Sequence, residues 1–205
     1  LKFPRSIIQV PGRDLFVVAD MGGWGHTDGR LLLLDPHAPQ GRRFKELLIG
    51  LEYPFGLVIG PDGKLYASTA ETIFRFDPLV DNPQSTVETI IRHMPGRRIT
   101  LPDGTRLDES AHPLKQFVFD RKGRLFVNVG SHSDDCITRA PMTKPCAAAE
   151  GASAMASIWL FTPPPGGVFP ALKPNDPDPP HTVYARGLRN SMALALHRNF
   201  PDPGY

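Results

Sequence analysis

The stretch His112-Pro-Leu-Lys-Gln-Phe-Val-Phe-Asp-Arg-Lys-Gly-Arg-Leu-Phe-Val-Asn-Val-Gly-Ser131 decides the fold. It holds two short apolar runs, Phe117–Phe119 and Leu125–Val129, which are separated by Arg121-Lys122-Gly123. Two such runs around a glycine-containing turn predict a β-hairpin. A histidine precedes the hairpin and Gly-Ser-His follows it. Polar residues therefore stand at the strand ends, where a rigid sheet can present them to a ligand.

The same pattern recurs along the chain. One copy covers residues 54–68, where Pro61-Asp62-Gly63 is the turn, and another runs from residue 15 to residue 36 through a glycine-rich link. If Leu15, Leu65 and Leu125 are equivalent positions, the copies lie 50 and then 60 residues apart. Residues 86–91 predict one further strand, and residues 100–107 predict a small hairpin that turns on Pro-Asp-Gly.

Sequence periods of about 40–50 residues, with about four short strands in each, are typical of β-propellers. We therefore predict an all-β chain that forms a partial propeller over residues 1–205. Blade-like units are expected near residues 1–50, 51–108 and 109–183, with the start of another at 184–205. A propeller with so few blades exposes unpaired strand edges, which proteins avoid, so we expect a portion of a larger propeller. The alternative is a complete, small β-sandwich.

The composition favours a globular protein and argues against nucleic-acid binding and membrane insertion. The chain has 205 residues, of which 40% are hydrophobic, so it can bury a core. Its 23 prolines and 19 glycines follow no period and fit many turns between short strands. The net charge is +2 and the basic residues are scattered, so no nucleic-acid partner is expected. No apolar run approaches the roughly 18–20 residues of a membrane helix, so no membrane span is expected.

Two cysteines, Cys136 and Cys146, lie in a strand-poor segment that is rich in proline, alanine and threonine. A disulfide between them would favour an oxidising compartment, and two unpaired thiols are the alternative. Two cysteines are too few for a structural zinc site.

Five motifs follow one another over residues 50–197: Pro54-Phe-Gly-Leu, then His112 with Phe117-Val-Phe five residues later, then residues 125–131, Ser157-Ile-Trp159 and Tyr184-Ala-Arg-Gly-Leu-Arg-Asn190. In order and spacing they resemble the soluble sugar dehydrogenases that depend on pyrroloquinoline quinone (PQQ). Within that family the chain is most similar to the L-sorbosone dehydrogenase-like branch.

The resemblance implies a six-bladed propeller in the complete protein, of which this chain covers about three to four blades. It implies a quinoprotein oxidoreductase, periplasmic or secreted, that oxidises an aldose or a sorbosone-like aldehyde with PQQ as hydride acceptor. Electrons would pass to an external acceptor, and calcium would be bound by ligands mostly beyond residue 205. By the same resemblance His112 matches the general base, and Arg189 and Asn190 match the residues that hold the quinone.

Physical chemistry agrees with these roles. A histidine can take a proton from a sugar hydroxyl near neutral pH, provided that a rigid strand end aims it. A guanidinium suits a cofactor with three carboxylates and two quinone oxygens, because it donates paired hydrogen bonds to them. Ser191 replaces the proline that follows the Arg-Asn pair in the family, and this departure favours an alternative function: a propeller that binds a carbohydrate or a protein partner without turnover. A third option, a metal-dependent lactonase-type propeller, needs a ring of acidic and asparagine ligands around the channel, and no such ring can be assembled from these residues.

Most of the other polar residues that could belong to a site have both a functional and a structural interpretation. His132, Asp134 and Asp135 could bind a hard cation or lie in a solvated loop, and the loop is favoured, so no metal ligand is predicted. His26 could face the channel or belong to a turn beside Trp24. Arg186 is expected to be paired at a strand end rather than to serve as a second channel charge. Trp159 and Phe161 alternate along an apolar strand and are expected to pack between blades.

Overall fold

The fold consists of three four-stranded antiparallel sheets and one small hairpin. A computed structural model describes residues 1–25, 27–100, 104, 106–108, 110–134 and 149–197. The first sheet contains β1 (Pro4–Gln9), β2 (Phe16–Asp20), β3 (Gly29–Leu34) and β4 (Phe44–Leu51); the second contains β5 (Leu57–Ile59), β6 (Leu65–Ser68), β7 (Ile73–Phe76) and β8 (Glu88–Ile91). The hairpin contains β9 (Ile99–Thr100) and β10 (Arg106–Leu107), and the third sheet contains β11 (Phe117–Phe119), β12 (Leu125–Val129), β13 (Ser157–Phe161) and β14 (His181–Arg186).

Every large sheet is a meander, in which the strands pair in the order of the chain. The first strand of the second sheet, β5, contacts the first strands of both neighbouring sheets, β1 and β11. Three successive sheets that meet along their first strands have the arrangement of propeller blades and differ from a two-sheet sandwich. The all-β prediction is confirmed, since the described residues contain no α-helix and very little 3₁₀ helix, most of it at Pro83–Thr86. Closure into six blades stays a prediction.

The second sheet lies between the other two, and all residues of β6 and β7 are buried. Such continuous burial is expected for strands that are covered on both faces. Between the second and third sheets, Tyr66 and Ile73 pack against Phe117, Trp159 and Phe161 in one hydrophobic cluster. The prediction that Trp159 and Phe161 pack between blades is therefore confirmed.

The hairpin from which the sequence analysis started is present, with Phe117 paired to Val127 and Phe119 paired to Leu125. Its turn is closed by Asp120, whose Oδ1 accepts hydrogen bonds from the backbone N–H groups of Lys122 at 2.9 Å and Arg124 at 2.8 Å. Gly123 has a φ of +76°. A Cβ at this position would lie 1.9 Å from the carbonyl oxygen of Gly167, so the turn requires glycine.

Buried hydrogen bonds join the sheets where their first strands begin. The hydroxyl of Ser68, at the end of β6, accepts from the N–H of Gly56 at 2.8 Å and donates to the carbonyl of Lys115 at 2.6 Å. Ser6 on β1 donates to the carbonyl of Phe55. These contacts fix the segments that precede β5 and β11, and one of those segments carries His112.

Three strands, β1, β4 and β14, were not predicted from the sequence. The third sheet extends to Arg186, beyond the boundary at 183, and the described residues 187–197 form no strand, so the start of a fourth unit stays a prediction. The predicted hairpin of residues 100–107 is present as β9 and β10. Four residues named in the sequence analysis lie outside the described residues: His26, Asp135, Cys136 and Cys146. Within the described part of the chain, no helix is long and apolar enough to cross a membrane.

Candidate functional site

The predicted site residues lie at one end of the third sheet, where β11 begins and β12 and β14 end. The directions of the strands explain why they meet there. Because β11 is antiparallel to β12, the residues before β11 lie beside those that follow β12. Strands β12 and β14 are both antiparallel to β13, so both run in the same direction and end at the same end of the sheet. The register aligns Val129 with Ser157 and Ser157 with Arg186. Residues near 112, 131 and 189 must therefore meet.

Backbone contacts hold the three segments together. The N–H of Ala111 donates to the carbonyl of His132 at 3.0 Å, and the N–H of Ser131 donates to the carbonyl of Arg189 at 2.8 Å. Gly130 allows this approach, since a Cβ there would lie 2.5 Å from the Cβ of His112 and 2.7 Å from its carbonyl oxygen. Any larger residue at position 130 would displace His112.

The His112 imidazole is held in one orientation, with 9% of its side chain exposed. Its Nδ1 lies 2.9 Å from the carbonyl oxygen of Ser131 and 3.0 Å from the hydroxyl of the same residue. A carbonyl oxygen can only accept, so Nδ1 carries the proton in this contact. In the neutral ring the lone pair is therefore on Nε2. This is the tautomer that a general base needs when its substrate approaches Nε2. Asp134 Oδ1 lies 3.3 Å from this nitrogen and accepts a hydrogen bond from it only when Nε2 is protonated as well.

Asp134 connects His112 to Arg189, because the same Oδ1 also accepts a hydrogen bond from the Arg189 guanidinium. That hydrogen bond, with the positive charge behind it, lowers the pKa of the Asp134 carboxyl below its ordinary value. The Asp134 side chain is 71% exposed and that of Arg189 is 58% exposed. The carboxylate and the guanidinium thus stand at the solvent side of the cluster, and the imidazole lies beneath them.

Asn190 follows Arg189 and is half-buried. Within the described part of the chain its side-chain oxygen, Oδ1, is buried and accepts no hydrogen bond. The next residue, Ser191, donates its backbone N–H to Asn128 Oδ1 at 3.1 Å, which ties this segment to β12. A buried amide oxygen without a donor is costly, and a bound group with an N–H or O–H could satisfy it.

Lys115 is fully buried three residues after His112, and the sequence analysis did not single it out. Its Nζ donates to the carbonyl of Pro113 at 2.7 Å, so its side chain braces the backbone next to His112. Burial lowers the pKa of Lys115 to about 7, although the negative charge of Glu71 opposes that shift. Burial also raises the pKa of Glu71, and the charge of Glu52 acts in the same direction.

The structure brings together His112, Arg189 and Asn190, the three residues predicted for the site. It adds Ser131, Asp134 and Lys115. The only sequence signal for Ser131 and Asp134 was a run of polar residues directly after a predicted strand, and Lys115 had no signal because burial depends on the packed sheets.

One alternative from the sequence analysis is answered by geometry. Arg186 is paired at a strand end, as expected, with Nη1 at 3.2 Å from Glu150 Oε2. Asp134 belongs to the cluster with His112 and Arg189. Among the described residues, no group of three or more His, Cys, Asp or Glu side chains is arranged to hold a metal ion.

The described residues fit a carboxylated quinone better than they fit calcium. Arg189 can donate to carboxylate or quinone oxygens, and the amide of Asn190 lies next to it in the chain. Calcium requires six to eight oxygen ligands. The described residues at this end of the sheet offer one carboxylate, Asp134, which already binds Arg189. Calcium binding and its ligands stay predictions.

No protein-family model and no curated protein sequence matches this chain. Among solved structures, it is similar to the holo form of the PQQ domain of pyranose dehydrogenase from Coprinopsis cinerea. The two share 18% sequence identity with a TM-score of 0.47, and the similarity covers 78% of this chain and 34% of the other. The chain thus spans about a third of the length of that structure.

Proposed function

We propose that the chain is part of a quinoprotein oxidoreductase that oxidises an aldose or a sorbosone-like aldehyde, with His112 as general base. The observation that carries the proposal is the cluster of His112, Asp134 and Arg189. The His112 imidazole is largely buried and its Nδ1 is bonded to Ser131, and it lies beneath the half-exposed guanidinium of Arg189. Both side chains are at the end of the third sheet where three segments of the chain meet.

The substrate, an aldose or the hydrate of an aldehyde, would lose one hydride from a carbon and one proton from the hydroxyl on that carbon. His112 accepts the proton at Nε2, because Nδ1 is committed to Ser131. The substrate hydroxyl must enter between Nε2 and Asp134, and the exposed Asp134 side chain can turn aside without unfolding the segment. The resulting imidazolium is stabilised by the Asp134 carboxylate.

PQQ, when bound, supplies the hydride acceptor. Arg189 and Asn190 are the residues of this chain that would hold it. In that role Arg189 would have to release Asp134 Oδ1, and Asn190 Oδ1 would be available as an acceptor. The external electron acceptor, the six-bladed ring, the sorbosone-like branch and a periplasmic or secreted location belong to the same proposal.

The test is dye-linked oxidation by the full-length protein reconstituted with PQQ and Ca²⁺. We expect aldoses or aldehydes to reduce the dye, and we expect His112→Gln to lower kcat by about 10²- to 10⁴-fold while PQQ binding is retained. His37→Gln is the matched control, since the His37 side chain is exposed and pairs with the exposed Asp14. Full-length protein that binds no PQQ, or that reduces no dye with any aldose or aldehyde, would contradict the proposal.

A second candidate is a propeller that binds a carbohydrate or protein partner without turnover. The pairing of Arg189 with Asp134 favours it, because the charge that would hold the cofactor is already neutralised within the chain. Ser191, in place of the proline expected from the resemblance, also favours this second candidate. Carbohydrate binding by a protein that neither binds PQQ nor reduces the dye would decide for this candidate.

A further inference from the structure

A cavity lies beside the segment that carries His112. It has a volume of about 250 Å³ and is lined by Trp24, Tyr53, Arg97, Ser110, Ala111 and Pro113. Trp24 comes from the connection between β2 and β3, Tyr53 from the connection between β4 and β5, and Ser110 from the connection between β10 and β11. Loops of all three sheet units therefore build the cavity.

The cavity and the His112 imidazole lie on opposite sides of one backbone segment. Ala111 and Pro113 line the cavity, whereas the imidazole between them contacts Ser131 and Asp134. Pro113 favours an extended conformation for His112, in which neighbouring side chains point in opposite directions. A ligand in the cavity is thus a direct neighbour of the proposed catalytic group but not the group on which His112 acts.

The aromatic wall of the cavity is held in place. Trp24 is 57% exposed, which is unusual for the largest apolar side chain, and its ring packs edge-on against the buried Tyr53 ring at 5.8 Å. The Tyr53 hydroxyl donates to the Trp24 carbonyl at 3.0 Å. Tyr53 has a φ of +50°, a left-handed conformation that costs a bulky residue about 1–2 kcal/mol. Such strain tends to persist where a side chain is needed in one position.

The polar wall contains an unsatisfied group. Ser110 is 7% exposed, and its buried hydroxyl has no hydrogen-bond partner among the residues that the structure describes. Its backbone N–H donates to the carbonyl of Arg97 at 2.7 Å, and the N–H of Ala111 donates to His132, so the segment cannot readily move the hydroxyl to solvent. Leaving such a group unpaired costs about 1–3 kcal/mol, which a ligand hydroxyl in the cavity would recover.

We infer that this cavity is a subsite for one pyranose ring. The flat C–H face of the sugar would pack on the Trp24 indole, and a ring hydroxyl would bond to Ser110 Oγ. The cavity is smaller than the roughly 300–1,000 Å³ of sites for drug-sized ligands, so it admits a single ring. The inference does not rest on the proposed function, because the cavity lies on the other side of the backbone segment from the His112 imidazole.

Binding can be tested without the cofactor, because the indole of Trp24 is exposed and can report a ligand by fluorescence. Methyl β-D-glucopyranoside and cellobiose are titrated into the full-length protein and into its Trp24→Phe variant, and the difference in emission and acrylamide quenching between the two proteins gives the signal of Trp24. We expect a saturable change in emission and reduced quenching. In the wild-type background, calorimetry should show about 2- to 12-fold weaker binding for Ser110→Ala and at least about tenfold weaker binding for Trp24→Ala.

Phe44→Ala is the matched control, since Phe44 is also exposed and aromatic but lies at the opposite end of β4 from Tyr53. Thermal unfolding of each variant, and Trp24→Phe as a milder replacement, separate lost binding from lost folding. The inference is overturned if neither saccharide gives a saturable change up to about 50 mM, or if binding persists unchanged in the Trp24 and Ser110 variants. If the protein reduces the dye but its saccharide binding does not depend on Trp24, the proposed subsite is wrong and the proposed oxidoreductase function stands. If it binds saccharide through Trp24 but reduces no dye, the proposed oxidoreductase function is wrong and the subsite stands.

Discussion

The Nε2 atom of His112 lies 3.3 Å from Oδ1 of Asp134, across a junction between two segments that flank the β11–β12 hairpin. The carboxylate is therefore placed to accept a hydrogen bond from Nε2 once that nitrogen has taken up a proton, while the other ring nitrogen is committed to Ser131. This relationship makes Asp134 a partner of the proposed base and gives Arg189 an indirect link to it.

Replacement of Asp134 by Asn tests that relationship. The amide keeps the size of the side chain but removes the charge that stabilises an imidazolium, so we expect kcat for dye-linked oxidation to fall about tenfold or more. Because Arg189 loses its competing carboxylate, PQQ affinity should be unchanged or higher, as measured by calorimetry. Unchanged kcat with the same substrate would show that Asp134 does not act on His112.

Replacement of Gly130 by Ala tests the close packing around His112. The new Cβ would meet both the Cβ and the carbonyl oxygen of His112 at less than 3 Å, so the imidazole must shift. A shift of about 1 Å can cost about 10²-fold in rate, and we expect a loss of that order in kcat. Gly12→Ala is the control, since Gly12 has a φ of +69° with open space around it and lies in the turn between β1 and β2. Equal activity of the two variants would argue against this packing.

The buried Lys115 predicts how stability depends on pH. Its pKa is about 7 in the folded chain and 10.5 as a free side chain, so between these values the unfolded chain binds a proton that the folded chain does not. The free energy of unfolding should therefore rise with pH from about 7 towards 10, by up to a few kcal/mol. Below pH 7 the buried ammonium imposes its full cost. Tyr66, whose pKa is raised to about 12, acts in the opposite direction above pH 10.

Lys115→Met removes this titration and gives the matched measurement. Urea unfolding of wild type and variant at pH 6, 7, 8 and 9 should show a rise in the wild type that is absent from the variant. The variant also leaves the carbonyl of Pro113 without its donor, which lowers stability by about 1–3 kcal/mol at every pH but adds no slope. Parallel pH profiles for the two proteins would contradict the predicted pKa of Lys115.

Ser68→Ala tests the connection between the second and third sheets. The substitution leaves the N–H of Gly56 and the carbonyl of Lys115 unpaired in a fully buried place, so we expect a loss of roughly 2–4 kcal/mol in the free energy of unfolding. Ser85→Ala is the control, because the Ser85 hydroxyl donates to Asn82 at an exposed turn and should contribute less than about 1 kcal/mol. Similar losses in the two variants would show that the Ser68 bonds do not join the sheets.

Prediction from the sequence was most successful where short-range chemistry decides the structure. Gly123 after Arg121-Lys122 marks a turn whose backbone needs a positive φ, and the apolar runs on either side form the expected hairpin. It failed for β1, β4 and β14, because these strands are largely exposed and polar residues make up about half of β1 and β14. Their position is set by pairing with an inner strand, which the local pattern does not contain.

The sequence by itself determined the all-β class, the repeated hairpins and the residue types at the strand ends, since each depends on neighbours a few positions apart. Only the tertiary structure decided that His112 and Arg189 meet through Asp134, because that meeting depends on the register of β12, β13 and β14. It also decided that Lys115 is buried and that the Ser110 hydroxyl lies beside a cavity. Burial and the meeting of distant segments arise only when the sheets pack, since each requires surfaces from separate parts of the chain.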